Sequence, residues 1–123
     1  MALVNYNKGL PVPAKVECDA LIDTGSTGVV VNPDILDRVG ITRYIETTAH
    51  GVDGVVEVKT AAISLSVLDM DGKILVGFHE ITAIRPIHRL PDGQQCLLGR
   101  SVLSKFEFRY NGRTNHFELR IVV

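Results

Sequence analysis

The sequence predicts a mainly β fold carrying one or two short helices. Three observations support this expectation: apolar and polar residues alternate with a period of two over several stretches, Val, Ile, Phe and Tyr runs are bounded by Gly, Asn and Asp turns, and only 32–40 has both the start and the stop signal of a helix. At 123 residues the chain can bury a real core but is short for two domains of ordinary size. A single domain over residues 1–123 is therefore expected. Hydrophobic residues at 46% against 22% charged fit a globular chain and disfavour disorder.

In residues 15–22, Val16, Cys18, Ala20 and Ile22 share one face and Lys15, Glu17 and Asp19 the other, which predicts a strand running into Asp23. Beyond a turn at Thr24, Gly25 and Ser26, the β-branched Val29, Val30 and Val31 suit a short buried strand. The helix comes next, with Asn32 as N-cap, Pro33 at its first position and Gly40 as terminator. Residues 43–49 and 55–68 read as two strands joined by 50–54, where Gly51 and Gly54 permit positive φ at a hairpin tip that projects from the body. Within the second strand Val56 and Val58 lie on one phase, and Ile63, Leu65 and Val67 on the other. A bulge or bend near Thr60–Ala62 is the expected cause.

Asp71-Gly72 signals a tight turn into a strand over 73–84. Although Asp69-Met70-Asp71-Gly72 begins like a calcium loop, the other ligands and the closing Glu are missing, so the turn reading stands. Residues 85–95, with Pro86, Pro91 and Gly93, form a loop; 96–99 form a short buried strand and 100–106 a short helix. Phe106, Phe108 and Tyr110 alternate up to Asn111-Gly112, and Phe117, Leu119 and Ile121 alternate away from it, describing a closing hairpin.

A net charge of -1 offers no basic excess of the kind that neutralises phosphates, so nucleic acid is not an expected partner. The first residues lack the pattern of a secretory signal, and no apolar run approaches membrane-span length. A cytoplasmic protein with no membrane partner is expected. Cys18 and Cys96 are too few for a disulfide framework or a structural zinc site and read as buried reduced thiols, with a single disulfide between them left open. His79, His88 and His116 show no metal-ligand spacing, and Gly-x-Ser-x-Gly, phosphate-loop and dinucleotide motifs are missing. No cofactor or metal is expected.

What remains is the stretch ALIDTGSTGVVV, which sets Asp23 between two apolar runs, shut away from bulk water. Taken alone, an Asp-Thr-Gly can be a simple Asx-turn. Here it is followed by VVVNPDILDRVG, by the glycine-bearing hairpin TTAHGVDGVVEV and, about seventy-five residues on, by LLGR leading into SVLSKFEF. This ordering resembles the retropepsin-like aspartic proteases over nearly the whole chain.

The resemblance implies a retropepsin-like acid protease β-barrel that is homodimeric, since the chain holds one Asp-Thr-Gly and a pepsin-type enzyme holds two. It implies an aspartic endopeptidase in which water, held between two Asp23 carboxylates, attacks a polypeptide substrate. Thr24 would then bond across the dimer axis, Gly25 would let substrate backbone approach, and Ser26 would support the carboxylate from outside or be a solvated turn hydroxyl. Gly51 and Gly54 would let the hairpin close as a flap, with Val52 among the pocket residues. Val29, Val30 and Ile84 would line substrate pockets, and Leu98, Gly99 and Arg100 would form the supporting and dimer-forming element. Two departures are visible. Thr27 stands where retroviral members commonly carry an acid to pair with the later Arg, so Arg100 lacks that partner and reads equally as a surface residue. His50, at the hairpin tip, has no counterpart; it reads as an exposed turn residue, with substrate contact or pH sensing as the other option. Two further readings stay open: a non-catalytic module of the same fold that binds peptide or dimerises, and an unrelated β-barrel with an accidental Asp-Thr-Gly.

Overall fold

The fold is described by a computed structural model over residues 2–6, 14–51, 54–91 and 93–122. In chain order its elements are β1 (Ala2–Tyr6), β2 (Ala14–Cys18), β3 (Ala20–Ile22), β4 (Val29–Val31), α1 (Pro33–Arg38), β5 (Ile45–Gly51), β6 (Gly54–Leu68), β7 (Ile74–Arg85), β8 (Cys96–Leu98), α2 (Arg100–Leu103), β9 (Phe106–Asn111) and β10 (His116–Ile121). The expected mainly β architecture with two short helices is what forms. Strand β1, to which the sequence pattern assigned no element, is an addition.

Eight strands make one sheet in the order β2-β1-β6-β7-β4-β8-β3, with β5 pairing β6 off that path. Strands β2 and β3 stand at opposite ends of this path, yet only Asp19 separates them in sequence. The sheet must therefore curl until its two ends meet, giving a half-barrel. The single strand expected over 15–22 is thus two strands. At the break, the Asp19 N–H leaves the ladder and donates to Gln95 Oε1 at 2.9 Å.

The apolar phase of each strand falls inside the curl. Val16, Cys18, Val29, Val31, Ile63, Leu65, Val67, Ala83, Cys96 and Leu98 form the core with Ile35, Leu36 and Val39 of the α1 region, Val102 of α2 and Phe106. Helix α1 begins at Pro33, where the missing N–H costs nothing, and ends at Gly40, whose φ of +90° lets the Ile41 N–H return to Leu36 O at 3.1 Å. Asn32 occupies the N-cap position, but its side chain makes no cap bond. Fully buried, it donates from Nδ2 to Gln94 O and accepts the Leu90 N–H on Oδ1, each at 2.7 Å, and so pins the 85–95 loop to the body. At the other end of that loop, Arg85 Nη1 donates to Asp37 Oδ1 at 3.0 Å and to Tyr44 OH at 2.9 Å, tying β7 to α1.

The phase change in β6 has a different cause from the one expected. No register shift occurs at Thr60–Ala62; there β6 changes neighbours, its pairing with β5 ending at Ile45↔Thr60 while its pairing with β7 starts at Lys59↔Arg85. The register shifts lie further on, between Val67↔Val76 and Leu68↔Ile74 and, first, opposite Ser64, where Ile63↔Ile81 is followed by Leu65↔Phe78. One extra residue is thus accommodated in β7, at His79-Glu80, with Glu80 at φ 51°. The β5–β6 hairpin extends to Gly51↔Gly54, and Gly54 takes φ +110°, as a tight tip demands. Val55, Val56 and Ile45 on this arm are exposed, which fits a projecting hairpin. The Asp71-Gly72 turn forms as expected, with Asp69 Oδ1 accepting the N–H groups of Asp71 and Lys73 at 2.9 Å and Gly72 at φ +81°.

Strands β9 and β10 form a separate two-stranded sheet in which Asn111 pairs with His116, so the loop is 112–115 and wider than a two-residue turn at Asn111-Gly112. Asn115, at φ 58°, takes the left-handed position that Asn tolerates. No helix among the described residues is long and apolar enough to cross a membrane.

Candidate active site

Asp23 lies in the turn between β3 and β4, and β8 passes through the gap this turn spans. Strand β8 pairs in parallel with β3 (Ile22↔Leu98) and antiparallel with β4 (Val29↔Leu98), so the Asp-Thr-Gly turn arches over the end of β8. The Asp23 N–H donates to Leu98 O at 3.0 Å, which fixes the residue at the point where the arch begins. Immediately beyond Leu98, the Arg100 N–H donates to Ser26 O and the Ser101 N–H to Thr27 O, each at 2.9 Å. The two motifs picked out in the sequence, DTGST and LLGR, are therefore bonded to one another along their backbones.

Gly99 makes that contact possible. Its φ of -91° and ψ of -169° are ordinary extended values, so its backbone conformation does not call for glycine. Space does: a Cβ here would overlap Gly28 O and lie 2.7 Å from Ser26 O and 2.9 Å from Gly28 N, all backbone atoms that cannot swing aside. Gly28 was not singled out in the sequence, and it is the other half of this close approach. The only available signal was its place one residue before the valine run.

The carboxylate of Asp23 is half-buried, more open than the apolar flanks suggested. Its Oδ1 accepts the Gly25 N–H at 3.0 Å, and among the described residues no other group donates to it. This is an Asx-turn that holds one carboxylate oxygen in place and leaves Oδ2 free to meet another group. A side chain at Gly25 would crowd Oδ1, its Cβ falling 3.3 Å away. Thr24 is exposed, and its carbonyl accepts from Arg100 Nη1 at 2.7 Å. Arg100 thus has a partner after all: without an acid at Thr27, it clamps the backbone of the Asp-Thr-Gly turn itself. Ser26 does not support the carboxylate; its hydroxyl donates to Gly28 O at 3.2 Å, staying within the loop.

Of the apolar residues expected beside the site, Val29 is corrected. Its side chain is 0% exposed and packs in the core, because in β4 the inward phase belongs to Val29 and Val31. The opposite face of the β4–β7 pair carries Val30 and Ile84, which are in register and half-buried. A Cβ on Gly28 would meet Ile84 Cδ1 at 3.7 Å, so Ile84 borders the loop that follows Asp23. Gly51 and Gly54 close the end of the β5–β6 arm, while Val52 lies outside the described residues. His50 is exposed on that arm. Among the described residues no cluster of His, Cys, Asp and Glu could hold a metal ion.

A sequence model of the family described as aspartyl protease matches residues 4–102, from β1 through most of α2 and including both motifs. The chain belongs to the aspartyl protease family. Among solved structures this family member is similar to a retropepsin-like aspartic protease from Rickettsia conorii, at 18% identity and a TM-score of 0.53, the likeness covering 91% of this chain and 82% of the other. The fold is accordingly retropepsin-like. No curated protein matches. The β9–β10 hairpin falls beyond the family match, so it is the part of the chain least explained by membership.

Proposed function

We propose that the chain is an aspartic endopeptidase that acts as a homodimer, its single domain supplying one Asp23 to a shared pair. The observation that carries this reading is the state of Asp23: its backbone N–H is anchored to Leu98 O and its Oδ1 accepts from Gly25, with no basic partner for the carboxylate among the described residues. One Asp-Thr-Gly per chain makes a second copy necessary. Two carboxylates about 3 Å apart repel by about 5 kcal/mol at an effective dielectric near 20, so the pair shares a proton, the coupled behaviour long recognised for aspartic protease dyads. The ionised member takes a proton from the water between them as that water attacks the scissile carbon. The protonated member donates to the carbonyl oxygen, and no covalent intermediate forms.

An extended polypeptide fits between the β5–β6 arm, acting as a flap whose tip carries Gly51 and Gly54, and the floor formed by Gly25, Ser26, Val30 and Ile84. The apolar character of Val30 and Ile84 favours hydrophobic side chains beside the cut bond. Free thiols at Cys18 and Cys96 suit action in a reducing compartment such as the cytoplasm.

The β9–β10 hairpin supports the dimer. Phe108, Tyr110, Phe117, Ile121 and Val122 are exposed, and the cross-strand pairs Phe117↔Tyr110, Leu119↔Phe108 and Ile121↔Phe106 place the first four of these on one face. Phe106 at the base of this face is buried and Leu119 packs against the core, while Phe108, Tyr110, Phe117 and Ile121 stay exposed and available to a second copy. The hairpin also follows directly on α2, whose Arg100 holds the Asp23 turn, so joining two hairpins draws the two turns together.

The test compares wild type with Asp23→Asn on a peptide library between about pH 4 and 7. Cleavage by wild type alone supports the reading. Equal cleavage by both proteins removes Asp23 from the chemistry, and cleavage by neither favours a non-catalytic peptide-binding or dimerisation module.

A further inference from the structure

Cys18 and Cys96 have no role in the chemistry at Asp23, yet the fold brings them together. Cys18 ends β2 and Cys96 opens β8 in register with Ala20 of β3, so the pair sits where the two ends of the curled sheet meet. Both thiols are free, at 4% and 0% exposure, and both belong to one core cluster; Asp19, next to Cys18, bonds through its N–H to the side chain of Gln95, next to Cys96, at 2.9 Å. The neighbouring Cys96 holds the Cys18 thiol below its ordinary value, and the neighbouring Cys18 together with burial pushes the Cys96 thiol up. A shallow hollow of about 190 Å³, lined by Glu17, Cys18, Asp19 and Gln95, opens on the Cys18 side.

We propose that Cys18 and Cys96 are a modification site, a dithiol that closes reversibly to a disulfide and staples β2 to β8 across the seam of the half-barrel. The oxidant is a small disulfide of the glutathione type. Cys18, as thiolate, attacks one of its sulfurs through the hollow; the S–S bond of the oxidant breaks, one glutathione thiolate leaves, and a mixed disulfide forms on Cys18. Cys96 then gives its proton to the departing base and attacks the Cys18 sulfur, expelling the second glutathione thiolate. Two electrons pass from the cysteine pair to the oxidant, one disulfide is formed and one is reduced to two thiols. The order of attack follows from access: Cys18 lines the hollow, and Cys96, at 0% exposure, does not.

The position of the staple gives it leverage on the site. Cys96 is two residues before Leu98, whose carbonyl receives the Asp23 N–H, and Cys18 begins the segment that enters the Asp23 turn. Closing the bond joins both segments and, because it encloses most of the chain, restricts the unfolded state strongly.

The experiment equilibrates the full chain in mixtures of reduced and oxidised glutathione, traps free thiols by alkylation after acid quench, and maps the peptides. The expected result is conversion of both thiols to a Cys18–Cys96 disulfide with no lasting glutathione adduct, and a Tm rise on the order of 10 °C that dithiothreitol reverses. Cys18→Ser and Cys96→Ser should each abolish the shift. Thiols that stay free in excess oxidised glutathione, a stable adduct on Cys18, or a shift that survives either substitution would overturn the proposal. Peptide mapping of wild type decides the matter even where a serine variant folds poorly, and every readout is independent of proteolytic activity.

Discussion

Replacing Gly99 with Ala probes the contact between the two motifs without touching the carboxylate. The new methyl would overlap Gly28 O and press on Ser26 O and Gly28 N. Relief requires the Ser26–Gly28 backbone and the start of α2 to separate, which strains or breaks the Arg100 N–H to Ser26 O and Ser101 N–H to Thr27 O bonds. Overpacking of this kind costs about 1–3 kcal/mol and each weakened backbone bond about 1 kcal/mol, so a loss of about 3–5 kcal/mol is expected. For a chain of this size that corresponds to a Tm drop on the order of 10–20 °C, a large share of total stability. The assay is urea and thermal unfolding beside Gly112→Ala, whose methyl would meet only Tyr110 Cε1 at 3.8 Å and should be nearly silent. Because Gly99 has an ordinary extended backbone, no conformational penalty confuses the comparison. A Gly99→Ala protein within about 0.5 kcal/mol of wild type would refute the close-approach argument.

Asn32→Ala should lower stability by about 2–4 kcal/mol, since it strands the Leu90 N–H and the Gln94 carbonyl; a urea midpoint that does not move would show that the 85–95 loop is held otherwise. Arg100→Met removes an exposed clamp on Thr24 O, so stability should change by about 1 kcal/mol or less while kcat falls about tenfold through a looser Asp23 turn; unchanged kcat would leave Arg100 a surface residue. Tyr110→Arg places like charges on the hairpin faces of both copies and should raise the dimer Kd at least about tenfold by sedimentation equilibrium, with little effect on the monomer because Tyr110 is 59% exposed; an unmoved Kd puts the interface elsewhere.

Much of the fold was legible because its cause is local. Alternation located the strands, Pro33 and Gly40 bounded the helix, and Asp71-Gly72 marked its turn, each through backbone or periodic constraints that neighbouring residues impose. Features set by distant partners were not. The break at Asp19 depends on Gln95, the true role of Asn32 on Leu90 and Gln94, and the phase change in β6 on a change of neighbouring strand. At the candidate site the spacing of DTGST and LLGR correctly announced that the two belong together. Sequence reasoning failed on direction: Val29 and Val30 are alike in type, and only the register with Ala83 and Ile84 decides which turns inward. Arg100 was misjudged for the same reason, since a backbone carbonyl as partner leaves no trace in residue identity.

The central claim is that Asp23 of one copy is incomplete without Asp23 of another. Mixing wild type with an equal amount of Asp23→Asn, allowing subunits to exchange, and measuring cleavage per wild-type chain tests it directly. If two intact carboxylates are needed in each dimer, random exchange lowers activity per wild-type chain to about half. Activity per wild-type chain that stays constant across all mixing ratios would mean that each chain works with its own Asp23 alone, and would contradict the account.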